Sequence, residues 1–254
     1  MSYQLVAERN WAGNYSYTAS GIARPSGVGE LQELVAGAAR VRALGSRHSF
    51  NPIADTTGML IALDGLDPDI RVDAANMTVT VGGGTRYGTL AAQLQRQGFA
   101  LHNLASLPHI SVAGAVATAT HGSGDKNGNL ATAVAALELV TADGSILTAG
   151  RGDEDFEGMV VGLGAPGILT RLTLDIEPSF DICQEVFENL SWDLVLENFE
   201  QLTSAAYSVS LFTDWSEDTV AQAWLKRRGG DPAPETSGFY GGTPATGPRH
   251  PLPG

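Results

Sequence analysis

The 254-residue sequence predicts an α+β fold. Apolar residues recur with helical spacing in residues 26–40 and 85–98, and short apolar runs typical of strands lie between and after them. Asp143-Gly144 separates two such runs, which is a strong signal for a β-hairpin. Strands and an amphipathic helix recur after Pro178, so we expect a second α+β domain there.

The first helix is expected to run from Ser26, a residue type that caps helix N-termini, to about Arg40. Its apolar positions follow the i, i+3, i+4, i+7 pattern of one buried face. A second helix is expected after Thr85, which can cap it, and before Gly98, because glycine suits the position just past a helix end. Short strands are expected at 41–44, 59–63, 70–73 and 77–81, the last two forming a hairpin.

Residues 101–128 are mostly small, with several histidines, and they let the backbone lie close to something large and flat. Strands at 134–141 and 145–149 form the expected hairpin, and a helix at 153–161 and a strand at 169–176 follow it. Beyond Pro178 we expect strands at 182–187, 207–212 and 220–225 and a helix at 192–205. The tail, residues 229–254, holds seven glycines and six prolines and is expected to be irregular.

The composition is that of an acidic globular protein, with 15 basic and 28 acidic residues and a formal net charge of −13. A chain this acidic repels phosphate backbones and anionic lipid, so we expect no nucleic-acid partner and no membrane partner. The single cysteine, Cys183, allows no internal disulfide. With no secretory signal and no apolar run of roughly 20 residues, the expected location is cytoplasmic.

The stretch ALGSRHSF, residues 43–50, is the strongest chemical signal. Gly45 follows a predicted strand and frees the backbone to turn its N–H groups toward an anion. Ser46 and Ser49 add short hydrogen-bond donors, and His48 lies between Arg47 and Ser49. An imidazole on such a turn is a nucleophile or a base held beside whatever the turn binds.

Three other chemical signals are weaker. The run GLGAPG at 162–167 matches G-x-G-x-x-G, but a helix precedes it and a strand follows it, which is the reverse of a Rossmann unit. It is better interpreted as a glycine-rich turn, although such a turn can still contact a cofactor. No His-x-x-x-His spacing is present, so no metal site is expected, and no G-x-S-x-G elbow indicates an α/β-hydrolase. His102 and His109 fit ordinary loop histidines.

Five segments together resemble a known family: ALGSRHSFN, VGGGTRYGTLA, LASLPHISVAGAVATATHGSG, ALELVTADGS and GLGAPGILTRLTLDIEP. They are similar to the flavin-binding (PCMH-type) domain of the vanillyl-alcohol-oxidase superfamily, and most similar to its alditol oxidase and xylitol oxidase group. The resemblance runs from Trp11 to about Arg228. It implies an FAD-binding domain of two α+β subdomains at 1–178, split near 76–82. The beginning of an α+β substrate (cap) domain follows at 179–228.

The resemblance implies bound FAD, with its pyrophosphate wrapped by the loop at 43–49. His48 matches the histidine that this family joins covalently, through a ring nitrogen, to the flavin 8α-methyl. Doubly linked members use a cysteine in the region around Ser106, and this chain has none there, so one covalent bond is expected. The cofactor-binding residues that the resemblance implies are Ala43, Leu44, Gly45, Ser46, Arg47, His48, Ser49, Ser106, Ser111, Gly114, Thr118, Ala119, Thr120, His121, Ile168 and Leu169.

Three of these positions carry further implications. Ser106 matches a serine that faces both flavin and substrate and is the catalytic residue that the resemblance implies within this chain. Ala119 stands where the nearest relatives typically have glycine, and Arg47 replaces a glycine seen in some relatives. A small change at Ala119 should still permit close approach of the cofactor.

The resemblance implies FAD-dependent oxidation of a primary hydroxyl of a sugar alcohol, such as xylitol or sorbitol, to the aldose, with O₂ reduced to H₂O₂. The expected partners are a small polyol and O₂, and the expected state is a monomer. The family's polyol-binding Glu, Arg, Lys and His would lie downstream of residue 254, so we expect a C-terminally truncated member. The alternatives are an aldonolactone oxidase or dehydrogenase of the same superfamily, an inactive flavin-binding fragment, and an NAD-binding Rossmann dehydrogenase.

Overall fold

The computed structural model describes residues 8–215, 218–232 and 239–250. The chain divides into two compact units. The first unit comprises the chain up to His121 together with Asn129–Ser179, and the second comprises Gly122–Gly128 and the chain from Phe180 onward. The main boundary therefore falls next to Pro178, whereas the short segment 122–128 groups with the second unit.

The first unit mixes short helices and strands, as predicted. Its elements are β1 (Gly21–Ala23), α1 (Val28–Gly37), β2 (Val41–Leu44), β3 (Met59–Ala62), β4 (Arg71–Asp73), β5 (Thr78–Gly82), α2 (Tyr87–Arg96), β6 (Phe99–Ala100), α3 (Val112–Ala117), β7 (Val134–Val140), β8 (Ile146–Gly150), α4 (Phe156–Val160), β9 (Ile168–Asp175) and β10 (Glu177–Pro178).

Two sheets organise this unit. A parallel three-stranded sheet has the order β1-β3-β2, and an antiparallel five-stranded sheet has the order β4-β5-β9-β7-β8. Because β4 already pairs with β5, the division between the sheets lies between Ala62 and Arg71 and not near the expected 76–82. A short antiparallel pair, β6 with β10, completes the unit.

Helix α1 connects β1 to β2 and buries Leu31, Leu34 and Val35, the face that the spacing predicts. These residues pack with Ile61 of β3, and each fully buried aliphatic side chain contributes about 1.5–3 kcal/mol. The predicted bounds of this helix were too wide. The helix begins one residue past Gly27 because both the N–H and the hydroxyl of Ser26 donate to the Glu30 carboxylate.

Helix α2 begins at Tyr87 with Arg86 as its N-cap, and the expected cap, Thr85, instead donates its hydroxyl to the carbonyl of Pro68. The prediction for its end is confirmed: Gly98 follows the C-cap with φ +80°. The predicted hairpins are confirmed as β4–β5 and β7–β8. In β7–β8 the Asp143 carboxylate accepts from the Thr141 hydroxyl, and Gly144 adopts φ +80°. Helix α4 is shorter than the expected 153–161.

The second unit is an antiparallel four-stranded sheet with short helices. Its elements are β11 (Ile182–Ser191), α5 (Trp192–Glu197), α6 (Phe199–Thr203), β12 (Ser208–Phe212), β13 (Thr219–Arg228) and β14 (Thr243–Pro244). The strand order is β12-β13-β11-β14. Phe187, Leu190, Val195 and Leu202 form much of its core.

Two predictions for this unit were wrong. The single helix expected at 192–205 is two short helices, because Asn198 leaves helical geometry and its side-chain amide donates to the carbonyl of Leu194. The tail expected to be irregular contributes a strand and part of the core. Thr243–Pro244 pairs with β11, and Phe239 stacks on Phe187 with ring centroids 4.3 Å apart. Residues 233–238 and 251–254 of that tail lie outside the described residues.

Among the helices that the structure describes, none combines the length and the apolar character needed to cross a bilayer.

Candidate functional site

The first unit contains a cavity of about 510 Å³, a size typical of small-molecule and cofactor sites. The loop that follows β2 forms one wall, and the segment around α3 forms another. The turn at 163–169 also contributes, so the glycine-rich run GLGAPG does line the cavity. The parallel sheet positions the loop, because residues 42–44 at the end of β2 line the cavity and lead directly into the loop.

Ser111 is the centre of one wall. Its hydroxyl is buried, the residue is 5% exposed, and the hydroxyl has no hydrogen-bond partner. A Cβ built on Gly45 would stand 2.8 Å from this oxygen, and one on Gly114 would stand 2.6 Å from it. The backbone is therefore bare on two sides of an unpaired hydroxyl. A buried hydroxyl left unpaired costs about 1–3 kcal/mol, which a ligand in the cavity can offset.

Tyr17, another residue of the cavity lining, carries a second buried hydroxyl. Within the described part of the chain, Tyr17 and Ser111 carry the buried side-chain polar atoms that lack a hydrogen-bond partner. Burial raises the pKa of Tyr17 above its ordinary value of 10.0. The phenol therefore keeps its proton at neutral pH.

His48 lies on the loop at 45–49, and both of its ring nitrogens have a hydrogen-bond partner. Nδ1 lies 3.1 Å from the Ser46 hydroxyl oxygen, and Nε2 lies 2.8 Å from Nε2 of His109. The Ser46 hydroxyl in turn accepts the backbone N–H of Ser111 at 3.0 Å. Trp11 stacks on the His48 ring with centroids 5.0 Å apart and an interplanar angle of 23°.

The protonation of His48 is set by this environment. Burial lowers the pKa of His48 below its ordinary 6.5, and the neighbouring His109 and Arg86 lower it further. His48 is therefore a neutral imidazole at neutral pH.

Arg47 and Ala119 both adopt left-handed backbone geometry, with φ +65° and +51°. This region is the one that glycine occupies without penalty, and these are the two positions at which relatives were expected to carry glycine. The Arg47 guanidinium also forms an ion pair with Glu8, and the backbone carbonyl of Arg47 accepts the N–H of Trp11 at 2.8 Å.

The structure brings most of the predicted cofactor-binding residues together. Those that line the cavity are Ala43, Leu44, Gly45, Ser46, Arg47, His48, Ser49, Ser111, Gly114, Thr118, Thr120 and Leu169. Four others do not line it: Ser106, Ala119, His121 and Ile168. Ser106 and His121 are exposed, and Ile168 is 3% exposed and packs in the core between α1 and the strands.

Several lining residues were missed. Tyr17, Arg42 and Arg86 contribute to the cavity. Tyr17 lies outside the quoted motifs, Arg42 immediately precedes ALGSRHSF, and Arg86 lies within VGGGTRYGTLA but was not named as a cofactor-binding residue. Arg42 gave a usable signal, because it occupies the strand that leads directly into the glycine loop. The proximity of His109 to His48 gave none, since 61 residues separate them in the chain.

Arginine side chains, glycine backbone and buried hydroxyls around one cavity are typical of a site for a phosphate-bearing cofactor. The chain belongs to the family described as "FAD binding domain", whose model matches residues 19–150. FAD is therefore its cofactor. The residues present fit that group, because glycine backbone, serine hydroxyls and arginine side chains line the same cavity.

The chain is similar over most of its length to known oxidoreductases. It is 49% identical to an alditol oxidase from Streptomyces sp., over 98% of this chain and 60% of that protein. It is 40% identical to an L-gulono-1,4-lactone dehydrogenase from Mycobacterium tuberculosis, over 68% of this chain and 41% of that protein. It is 32% identical to the L-gulonolactone oxidase of Mus musculus, over 85% of this chain and 50% of that protein. The chain thus spans 41–60% of the length of these relatives.

The fold is also found among solved structures. A mutant of the cholesterol oxidase from Brevibacterium sterolicum superposes with a TM-score of 0.79 at 19% sequence identity. The superposition covers 89% of this chain and 48% of that one. The expected fold class, a PCMH-type FAD-binding domain with mixed helix and sheet, is confirmed.

Proposed function

We propose that the protein is an FAD-dependent oxidase of sugar alcohols, which converts a primary hydroxyl of a polyol such as xylitol or sorbitol to the aldehyde. The observation that carries this proposal is the 49% identity to an alditol oxidase, which extends over 98% of the chain and so includes both units. The small-molecule substrate would be the polyol, and O₂ would be the second substrate. The NAD-binding Rossmann alternative is set aside because the family is an FAD-binding one.

The cofactor would be held by the residues that the cavity brings together. The Ser111 hydroxyl and the bare backbone at Gly45 and Gly114 would receive the pyrophosphate, and the Arg42 and Arg86 side chains would offset its charge. Bound FAD would supply the chemistry, by accepting a hydride from the alcohol carbon and passing the electrons to O₂ to give H₂O₂. The rate of this transfer would also depend on protein groups that hold the alcohol carbon against the flavin.

His48 is proposed as the covalent attachment point of the cofactor. What supports this role is its neutral imidazole, its place on the cavity wall and its fixed orientation between Ser46 and His109. A neutral nitrogen with a free lone pair is the form of histidine that can act as a nucleophile. The bond would make the flavin resistant to loss during turnover.

The remaining site assignments are proposals of the same kind. Ser106 is proposed to face substrate, and its exposure leaves its hydroxyl accessible. Ala119, His121 and Ile168 are proposed to contact FAD through the backbone of their segments. We also propose residues 1–178 as the FAD-binding domain and 179–228 as the beginning of the substrate domain. A cytoplasmic location and a monomeric state are proposed on the sequence alone.

The polyol proposal is tested with the 254-residue chain, FAD and a panel of xylitol, sorbitol and simple alcohols in a peroxide-coupled assay. We expect peroxide formation on the polyols and much less on the simple alcohols. Acid precipitation tests the covalent bond separately: the parent pellet should be yellow, and the pellet of His48→Ala should be colourless. A colourless parent pellet from FAD-supplied cells would show that His48 is not an attachment point.

An aldonolactone oxidase or dehydrogenase is the second candidate. It is favoured by the 40% identity to the gulonolactone dehydrogenase, which covers 68% of the chain. Anaerobic bleaching of the flavin by a polyol, but not by an aldonolactone, would decide for the first proposal, and the reverse would decide for the second. Flavin binding with bleaching by neither class would favour a flavin-binding fragment without activity.

A further inference from the structure

The two short helices of the second unit carry apolar side chains on more than one side, and the fold buries only one side. Val195 of α5 and Leu202 of α6 are fully buried and pack in the core of this unit. Leu196 and Phe199 are instead 66% and 50% exposed. A helix that is apolar beyond its core-facing side is typical of one that is covered on that side as well.

The exposed apolar residues are close together in the fold. Trp192 and Leu196 lie one turn apart on α5, and Phe199 begins α6 at position i+7 from Trp192. Trp215 is 81% exposed and stacks on Trp192, with ring centroids 5.5 Å apart and an interplanar angle of 18°. We call Trp192, Leu196, Phe199 and Trp215 the α5–α6 face. Tryptophan and phenylalanine are among the residue types enriched in protein–protein interfaces.

The charged side chains that accompany this face are all of one sign. Residues 192–218 contain six acidic residues and neither lysine nor arginine. The structure describes five of the six, and all five are exposed: Asp193, Glu197, Glu200, Asp214 and Asp218. An apolar face among acidic side chains is complementary to a segment that combines apolar and basic side chains. It repels an anionic lipid surface, and it repels a second copy of itself, which would bring the same negative charge.

We propose that the α5–α6 face is a docking surface for an amphipathic helix of a partner protein, with lysine or arginine on both flanks of its apolar side. Seven residues of helix rise roughly 10 Å, so the stretch from Trp192 to Phe199 matches the i, i+3 or i+4, and i+7 side chains of one partner helix. The apolar contacts would supply the affinity, and the opposite charges would select the partner and speed its approach. The proposal is independent of the proposed function, because the face belongs to the second unit and the cofactor cavity to the first.

The probe is a fluorescein-labelled peptide of about 18 residues, long enough to form a helix, with leucine on one face and lysine on the other. Fluorescence anisotropy during titration with the FAD-bound, 254-residue chain gives the dissociation constant. We expect Leu196→Ser and Trp215→Ser each to weaken binding about tenfold, the effect of removing an apolar anchor from an interface. Ile146→Ser is the matched control, because Ile146 is 47% exposed on β8 of the first unit, and its affinity should equal that of the parent.

The charge of the partner is tested separately. A peptide with glutamate in place of every lysine should not bind, and a leucine–lysine peptide of the same composition in shuffled order should bind at least tenfold more weakly than the amphipathic one, because its leucines share no face. The double variant Glu197→Gln/Glu200→Gln should weaken binding of the lysine peptide severalfold. That difference should shrink as salt is added, because salt screens exposed charges.

Equal affinity of the parent, Leu196→Ser and Trp215→Ser would overturn the proposal, because the peptide would then bind acidic surface in general. Failure of the parent to bind, or equal binding of the lysine and glutamate peptides, would overturn it as well. Sedimentation equilibrium of the chain without peptide tests the competing occupant: a dimer that Leu196→Ser dissociates would assign the face to a second copy and overturn the choice of partner. Urea unfolding checks the fold of each variant, and if Trp215→Ser is unfolded, the affinity of Leu196→Ser decides.

Discussion

Gly45 and Ser111 lie so close that a side chain on the glycine would stand 2.8 Å from the serine hydroxyl. The serine hydroxyl occupies the space that a Cβ at position 45 would need, so it can keep this place only while position 45 is glycine. The close approach occurs across 66 positions of sequence and joins the loop after β2 to the start of α3. The pair thus fixes one wall of the cofactor site.

Gly45→Ala should weaken FAD binding by about tenfold or more, a loss of about 1.4 kcal/mol, because the methyl group displaces the Ser111 hydroxyl. Titration of the flavin-free protein with FAD, followed by flavin fluorescence, measures the affinity. Gly29→Ala is the matched control, since its Cβ meets nothing within 4 Å and it lies in α1. An unchanged affinity in Gly45→Ala would show that the pyrophosphate lies elsewhere.

Ser111→Ala should have opposite effects on the flavin-free and flavin-bound protein. Removal of a buried, unpaired hydroxyl should raise the free energy of unfolding of the flavin-free chain by about 1 kcal/mol. Since the side chain makes no helix-cap hydrogen bond, no cap is lost. The same change should lower FAD affinity severalfold. Urea unfolding and FAD titration measure the two quantities, and a loss of stability in the flavin-free chain would contradict the assignment.

Ala119→Gly should stabilise the protein by about 0.5–1 kcal/mol. Ala119 has φ +51°, and an alanine in that backbone region costs about 1–2 kcal/mol. Glycine removes this strain, but its greater freedom in the unfolded chain cancels part of the gain in stability. The free energy of unfolding in urea is the measurement. Ala92→Gly, on the exposed side of α2, is the control and should destabilise by about 1 kcal/mol. Equal signs for the two substitutions would rule out strain at Ala119.

Local sequence patterns predicted most helices and strands. The features that they did not predict depend on individual side-chain hydrogen bonds or on contacts between segments far apart in the chain. The spacing of Leu31 and Leu34 identified α1, because one helical face is buried against one sheet. The apolar pattern of 192–205 continues across Asn198, so periodicity could not show that a local side-chain hydrogen bond ends the first helix there. The family motifs contain most of the residues that line the cavity, but the contact of His48 with His109 depends on how two loops meet.

Phe187→Ala should destabilise the second unit by about 3–5 kcal/mol, because the side chain is 1% exposed and stacks on Phe239. Three of the four tryptophans, Trp192, Trp215 and Trp224, belong to this unit, so tryptophan fluorescence during urea unfolding reports on it. Phe199→Ala is the matched control, since Phe199 is 50% exposed, and it should change stability by less than about 1 kcal/mol. Similar losses in both variants would contradict the assigned core.

The flavin-free protein should lose stability as the pH falls below 6.5, and His48 should account for part of that loss. Burial, aided by His109 and Arg86, lowers the pKa of His48 in the folded chain, whereas in the unfolded chain the pKa returns to its ordinary value of 6.5. Above pH 6.5 the ring is neutral in both states and contributes no difference.

As the pH falls through 6.5 toward the lower pKa of the folded state, the unfolded chain binds the proton first, and the free energy of unfolding decreases. His48→Gln removes this titration, so its stability should fall less than that of the parent between pH 7.5 and 5.5. Urea unfolding across that range measures both proteins. Stability curves that run parallel throughout would show that His48 takes up its proton equally well in the folded and unfolded chain, and would remove the physical basis for a neutral nucleophile at this site.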